Sequence, residues 1–103
     1  MNTVFVTIVS IGECNRIENL RVNDVLTLRK EAANRYDDEA IAVYTARGVR
    51  CGYVANSVST VARGTHSAGY VYRDFEESAE CTVRFIFEEG AIAEVKLRNP
   101  ESA

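Results

Sequence analysis

Short runs in which apolar and polar residues alternate are what most limit the folds open to this chain. Cys81, Val83, Phe85 and Phe87 fall on one face of a strand over 80–88, against Thr82, Arg84, Ile86 and Glu88. The stretch 25–30 places Leu26 and Leu28 inward, and 91–98 alternates Val95 and Leu97 with Glu94, Lys96 and Arg98. Strands are expected over 40–47 and 49–54 as well, joined by a reversal at Arg47-Gly48. Thr3 to Ile11 is a β-branched run, apolar on both faces, as a barrel or central strand would be. So many short strands in 103 residues predict a mainly β fold. The expected architecture is a small OB-like antiparallel β-barrel of about six strands with one or two short helices, one domain over residues 1–103.

Between the fourth and fifth strands the pattern changes. Val54, Val58 and Val61 recur at helical spacing, Asn56 or Ser57 offers a cap, and Gly64 a stop, which predicts a helix over 56–63. Residues 69–72 read as a short strand and 74–79 as a helical turn. Asn23-Asp24 suits the turn into the second strand.

Composition narrows the function. Hydrophobic residues make up 47% and charged residues 26%, and charges interrupt every apolar run, so no membrane span is expected. The start lacks the pattern of a signal peptide, and the expected location is cytoplasmic. Cys14, Cys51 and Cys81 are odd in number and far apart, which predicts reduced thiols rather than disulfides or a zinc cluster. The single histidine, His66, reads as a solvated turn residue, and nothing unites it with Cys14 as a catalytic pair. No enzyme activity, cofactor or metal is therefore expected. A net charge of −3 argues against a general coating of duplex but leaves room for a pocket that captures one strand end.

The most distinctive stretch joins the second and third strands. Asn34, Arg35, Tyr36, Asp37, Asp38 and Glu39 stand side by side in a turn with no glycine, where a plain hairpin uses two to five residues rich in Gly or Asn. Asn34 and Asp37 are turn formers through side-chain-to-backbone hydrogen bonds, and Tyr36 could cap the barrel. The three adjacent carboxylates lack the spaced ligands of a calcium loop. Gly52-Tyr53 follows nearby, and Tyr53 could simply pack over a glycine. Arg29, Lys30, Arg35, Arg47 and Arg50 could gather near the same end of the barrel, although scattered surface charge is the default. Tyr70, Tyr72 and Phe75 beside Arg73 read either as a flap over the barrel or as aromatics for a single strand.

The pattern Leu26-x-Leu28-x-x-Glu31-x-x-Asn34-x-Tyr36-Asp37-x-x-Ala40-Ile41-x-Val43, followed by Gly52-Tyr53-Val54, resembles the HIRAN domain. The likeness is densest over 25–54. HIRAN domains occur at the start of Swi/Snf-type DNA translocases and as small standalone bacterial proteins. The resemblance implies an OB-like barrel that grips the 3′-hydroxyl end of single-stranded DNA in a repair or replication setting. It assigns Tyr36 to stacking on a terminal base and Asp37 to the 3′-hydroxyl. Asn34, Arg35 and Tyr53 complete the candidate DNA-binding set. Eukaryotic DNA-binding members carry an Arg-aromatic pair after the first strand, where this chain has Ser10-Ile11-Gly12-Glu13-Cys14. Two functions therefore stand: a non-enzymatic module for single-stranded DNA or 3′ ends, and a protein-interaction or regulatory module that keeps the fold without DNA. No partner protein is named by the sequence.

Overall fold

The computed structural model describes residues 2–11, 20–31, 39–57 and 59–97. Among these residues six strands form one closed antiparallel barrel. They are β1 (Asn2–Val9), β2 (Val25–Lys30), β3 (Ile41–Tyr44), β4 (Arg50–Val54), β5 (Ser78–Phe87) and β6 (Gly90–Leu97). Around the barrel the order is β1-β4-β3-β2-β5-β6, with β6 returning to β1. Closure pairs every strand with two neighbours, although β1 meets β4 only at Ile8 and Val9.

Val6, Ile8, Leu26, Leu28, Ile41, Val43, Val83 and Val95 fill the interior at 2% exposure or less. Burying each such side chain stabilises the fold by about 1.5–3 kcal/mol. The first strand departs from expectation at its end. It stops at Val9, Ser10 takes a left-handed backbone with φ 64°, and Ile11 then joins the core, fully buried. One left-handed residue breaks the alternation, so Ile11 is not on the Phe5 and Val9 face.

The expected helix over 56–63 is absent among the described residues there. Instead the Ser57 carbonyl accepts from the amides of Thr60 and Val61, closing a single turn. β-Branched Thr60 and Val61 are poor helix formers, and the loop finds better partners on β1. The Thr7 hydroxyl accepts from the Ala62 amide at 3.0 Å and pairs with the Thr65 hydroxyl at 2.8 Å, while the His66 amide donates to Phe5. The helix lies later. Helix α1 (Ala68–Val71) is capped by Ser67, whose side chain accepts from the Tyr70 amide, and runs into a 3₁₀ turn over Tyr72–Asp74. This replaces the strand expected at 69–72 and the helical turn expected at 74–79.

The turn before β2 follows expectation. Asn23 adopts φ 80°, and Asp24 accepts from the Arg21 amide through its carboxylate.

Candidate nucleic-acid interface

Tyr53 is the one candidate site residue that lies within the described residues; Asn34, Arg35, Tyr36 and Asp37 fall outside them. The geometry around Tyr53 begins with a bulge. Val43 pairs with Gly52, but Tyr44 pairs with Arg50, so Cys51 is an extra residue in β4. Both Cys51 and Gly52 are buried, and Tyr53 then turns outward. Only glycine fits at position 52, because a Cβ there would lie 2.3 Å from the Val9 carbonyl oxygen. Gly52 is thus pressed against β1.

The Tyr53 hydroxyl donates to the Glu31 carboxylate at 3.0 Å and accepts from the Arg50 guanidinium at 3.0 Å. Arg50 also reaches Glu31 at 3.7 Å and sits 5.6 Å from the centre of the Tyr53 ring. Partial burial, then the hydrogen bond and charge of Glu31, hold the Tyr53 hydroxyl above the ordinary phenol range. The phenol proton is therefore retained at neutral pH, where it fixes the ring to Glu31.

Glu31 is the last described residue before the stretch 32–38, and its amide donates to the Ala40 carbonyl. The other flank is held too. Glu39 lies over Gly69, whose would-be Cβ is 2.7 Å from the carboxylate, and the Gly69 amide donates to Asn56. Both flanks of the motif stretch are thus anchored, one on β4 through Tyr53 and the other on α1.

The basic residues divide. Arg50 stands at Tyr53, and Arg29 lies 5.3 Å above the Tyr44 ring. Lys30 turns to the barrel end, where its ammonium lies 4.4 Å from the Tyr72 ring and 4.9 Å from the Phe75 ring. Arg47 is at the opposite end of β3, beside Thr45 and Ala46, so it does not join the site. The aromatic cluster divides as well. Tyr72 and Phe75 pack on the core around Lys30, whereas exposed Tyr70 stacks on His66 with ring centres 4.0 Å apart. His66 is half-buried and bridged to Val6, a more fixed position than a solvated turn. Arg29 and Tyr44 form a pairing that the sequence did not single out; the signal available was their placement on outward positions of adjacent strands.

Among the described residues no group of His, Cys, Asp or Glu could hold a metal ion, and no helix is long and apolar enough to cross a membrane. Cys51 and Cys81 are buried, and Cys14 lies outside the described residues.

The family model for the HIRAN domain matches residues 1–87, and the chain belongs to that family. HIRAN domains are generally DNA-binding modules. The matched region ends at the tip of β5, while β6, which lies beyond it, closes the barrel between β1 and β5. Comparisons with curated proteins and with solved structures find no match.

Proposed function

We propose that this chain is a non-enzymatic module that holds the 3′-hydroxyl end of single-stranded DNA through the motif residues between Glu31 and Glu39. The carrying observation is the Tyr53–Glu31–Arg50 cluster, which puts a fixed aromatic ring and a guanidinium beside the flank of that stretch. The family resemblance supplies the rest: Tyr36 for stacking, Asp37 for the terminal hydroxyl, Asn34 and Arg35 alongside. It also supplies the repair or replication setting. Affinity is modest. Where the eukaryotic members place an Arg-aromatic pair, this chain reads Ser10-Ile11-Gly12-Glu13-Cys14, with neither an arginine nor an aromatic ring. The micromolar range, on the order of −8 kcal/mol, is the expected ceiling.

The test is a fluorescence-anisotropy titration with strands that differ only at the 3′ end. A 3′-hydroxyl strand should bind ten- to a hundredfold better than its 3′-phosphate counterpart, since a charge-assisted hydrogen bond contributes about 1.5–3 kcal/mol. Asp37→Asn should erase most of that preference, and Tyr53→Ala should weaken both strands. Equal binding of the two ends removes the end-capture reading.

A second reading has one observation in its favour. Phe5, Phe85 and Phe87 are 39%, 57% and 36% exposed, and exposed apolar rings suit a protein contact. If no strand binds at low salt, the protein-interaction function takes first place.

A further inference from the structure

Register places six residues in a two-by-three array across β4, β3 and β2, of which Ala42 is fully buried. One row reads Arg50, Tyr44, Thr27, because Tyr44 pairs with Arg50 on one side and with Thr27 on the other. The next row reads Tyr53, Ala42, Arg29. Two rings and two guanidinium groups are therefore interleaved across the three strands. Each arginine lies close to a tyrosine ring, Arg50 at 5.6 Å from Tyr53 and Arg29 at 5.3 Å from Tyr44. The two arginines are not equivalent. Arg50 is partly neutralised by Glu31, 3.7 Å away. Arg29 is exposed and makes no ion pair among the described residues.

We propose that this face continues the end-binding site as a short cation–aromatic track. In it Tyr44 and Arg29 receive the nucleotides that lead up to the terminal one of a single DNA strand. The proposal rests on the end-capture reading above and extends it from the strand end to its interior.

The physical case has three parts. First, single strands are held by aromatic faces for the bases together with cations for the phosphates, and this array interleaves the two. Second, neighbouring strands are about 4.8 Å apart, so Tyr53 on β4 and Arg29 on β2 are about 10 Å apart, more than one nucleotide step and room for the strand to continue past its terminal base. Third, the track has ends. At Tyr53 it meets the motif stretch. Beyond Arg29 an open cleft of about 640 Å³ is lined by Lys30, Tyr72, Ser78 and two carboxylates, Glu76 and Glu77. Those carboxylates repel phosphate and limit the footprint to the short end of the OB-fold range, about four nucleotides. A short track also fits a chain of net charge −3, because only one face needs to be cationic.

Fluorescence anisotropy with oligothymidylates of two and eight nucleotides, all ending in 3′-hydroxyl, tests the track. The eight-nucleotide strand should bind about tenfold more tightly than the two-nucleotide strand. Arg29→Gln and Tyr44→Leu should each weaken the longer strand three- to tenfold and leave the shorter one within twofold. Arg29→Gln changes an exposed side chain, so it tests the track even if Tyr44→Leu disturbs the barrel. It should also reduce the slope of log affinity against log salt by about 0.7.

Equal affinity for the two lengths, or variants that weaken both lengths alike, would overturn the track while leaving end capture standing. Length dependence and loss in Arg29→Gln without any preference between 3′-hydroxyl and 3′-phosphate would support the track and remove end capture. No binding of either strand at low salt would overturn both.

Discussion

On β4 the extra residue, Cys51, points inward with Gly52, so two consecutive residues face the core before Tyr53 turns out. On β5 the irregularity lies between Val83 and Phe85, and there Arg84 and Phe85 both face outward. The two bulges send consecutive residues in opposite directions, and the surfaces beside them differ accordingly. The β4 side shows tyrosines, arginines and Glu31. The β5 side shows Phe85 and Phe87, with ring centres 6.4 Å apart, beside Ile92. Arg84 tethers the second bulge through Glu94 at 2.8 Å and Asn23 at 2.9 Å. A single extra residue per strand thus decides which part of an alternating pattern becomes surface.

The largest effect is expected where the first bulge meets β1. Gly52→Ala sets a Cβ against a backbone oxygen that no rotamer can move. It should cost about 3 kcal/mol, read as a lower denaturant midpoint. A loss under about 0.5 kcal/mol would mean that β4 does not need this close approach to place Tyr53.

The second bulge makes a smaller and sharper contrast. Val83→Ala, fully buried, should cost about 2 kcal/mol, whereas Phe85→Ser, on the exposed side, should cost less than about 1 kcal/mol. Unbroken alternation gives the reverse ranking, because a buried phenylalanine cut back would cost about 3–5 kcal/mol. Urea unfolding of the two variants decides between them.

A pH-dependent effect reads the inner side of β5. Burial pushes the Cys81 thiol up to about 12 from 9.0. The folded state then holds that proton more tightly than the unfolded chain does. The resulting stability is complete below pH 9 and is lost as pH rises toward 12. Between those limits the loss is up to about 1.4 kcal/mol per pH unit. Urea midpoints measured upward from pH 8.5 should converge between wild type and Cys81→Ala. A constant difference would place the thiol in contact with solvent.

Alternation, β-branched runs and the turn residues were legible without coordinates, and they were enough for a six-stranded barrel and for most strand positions. Asn23-Asp24 and Arg47-Gly48 marked turns because their side chains and backbone freedom are local properties. The helix over 56–63 was misread because valine spacing is also satisfied by a loop hydrogen-bonded to Thr7, a partner about fifty residues away in sequence. The expectation that Phe85 and Phe87 share one face with Cys81 and Val83 fails for a related reason, since a bulge is a property of strand pairing. Within the candidate site, Tyr53 and Gly52 could be singled out, but their physical roles could not. Glycine at 52 answers a carbonyl on β1, and the Tyr53 proton answers a carboxylate from the far side of β3.

The sequence by itself determined the strand class of most segments, the family motif and the absence of a cationic coat, because periodicity, residue type and net charge need no neighbours. Only the tertiary structure decided which residues meet. It set Arg29 over Tyr44, drew Lys30 away into Tyr72 and Phe75, and buried Ile11 in the core just past the end of β1. The reason is that register, bulge position and barrel closure depend on pairing between distant segments, and one residue of slip carries a side chain from the core to the surface.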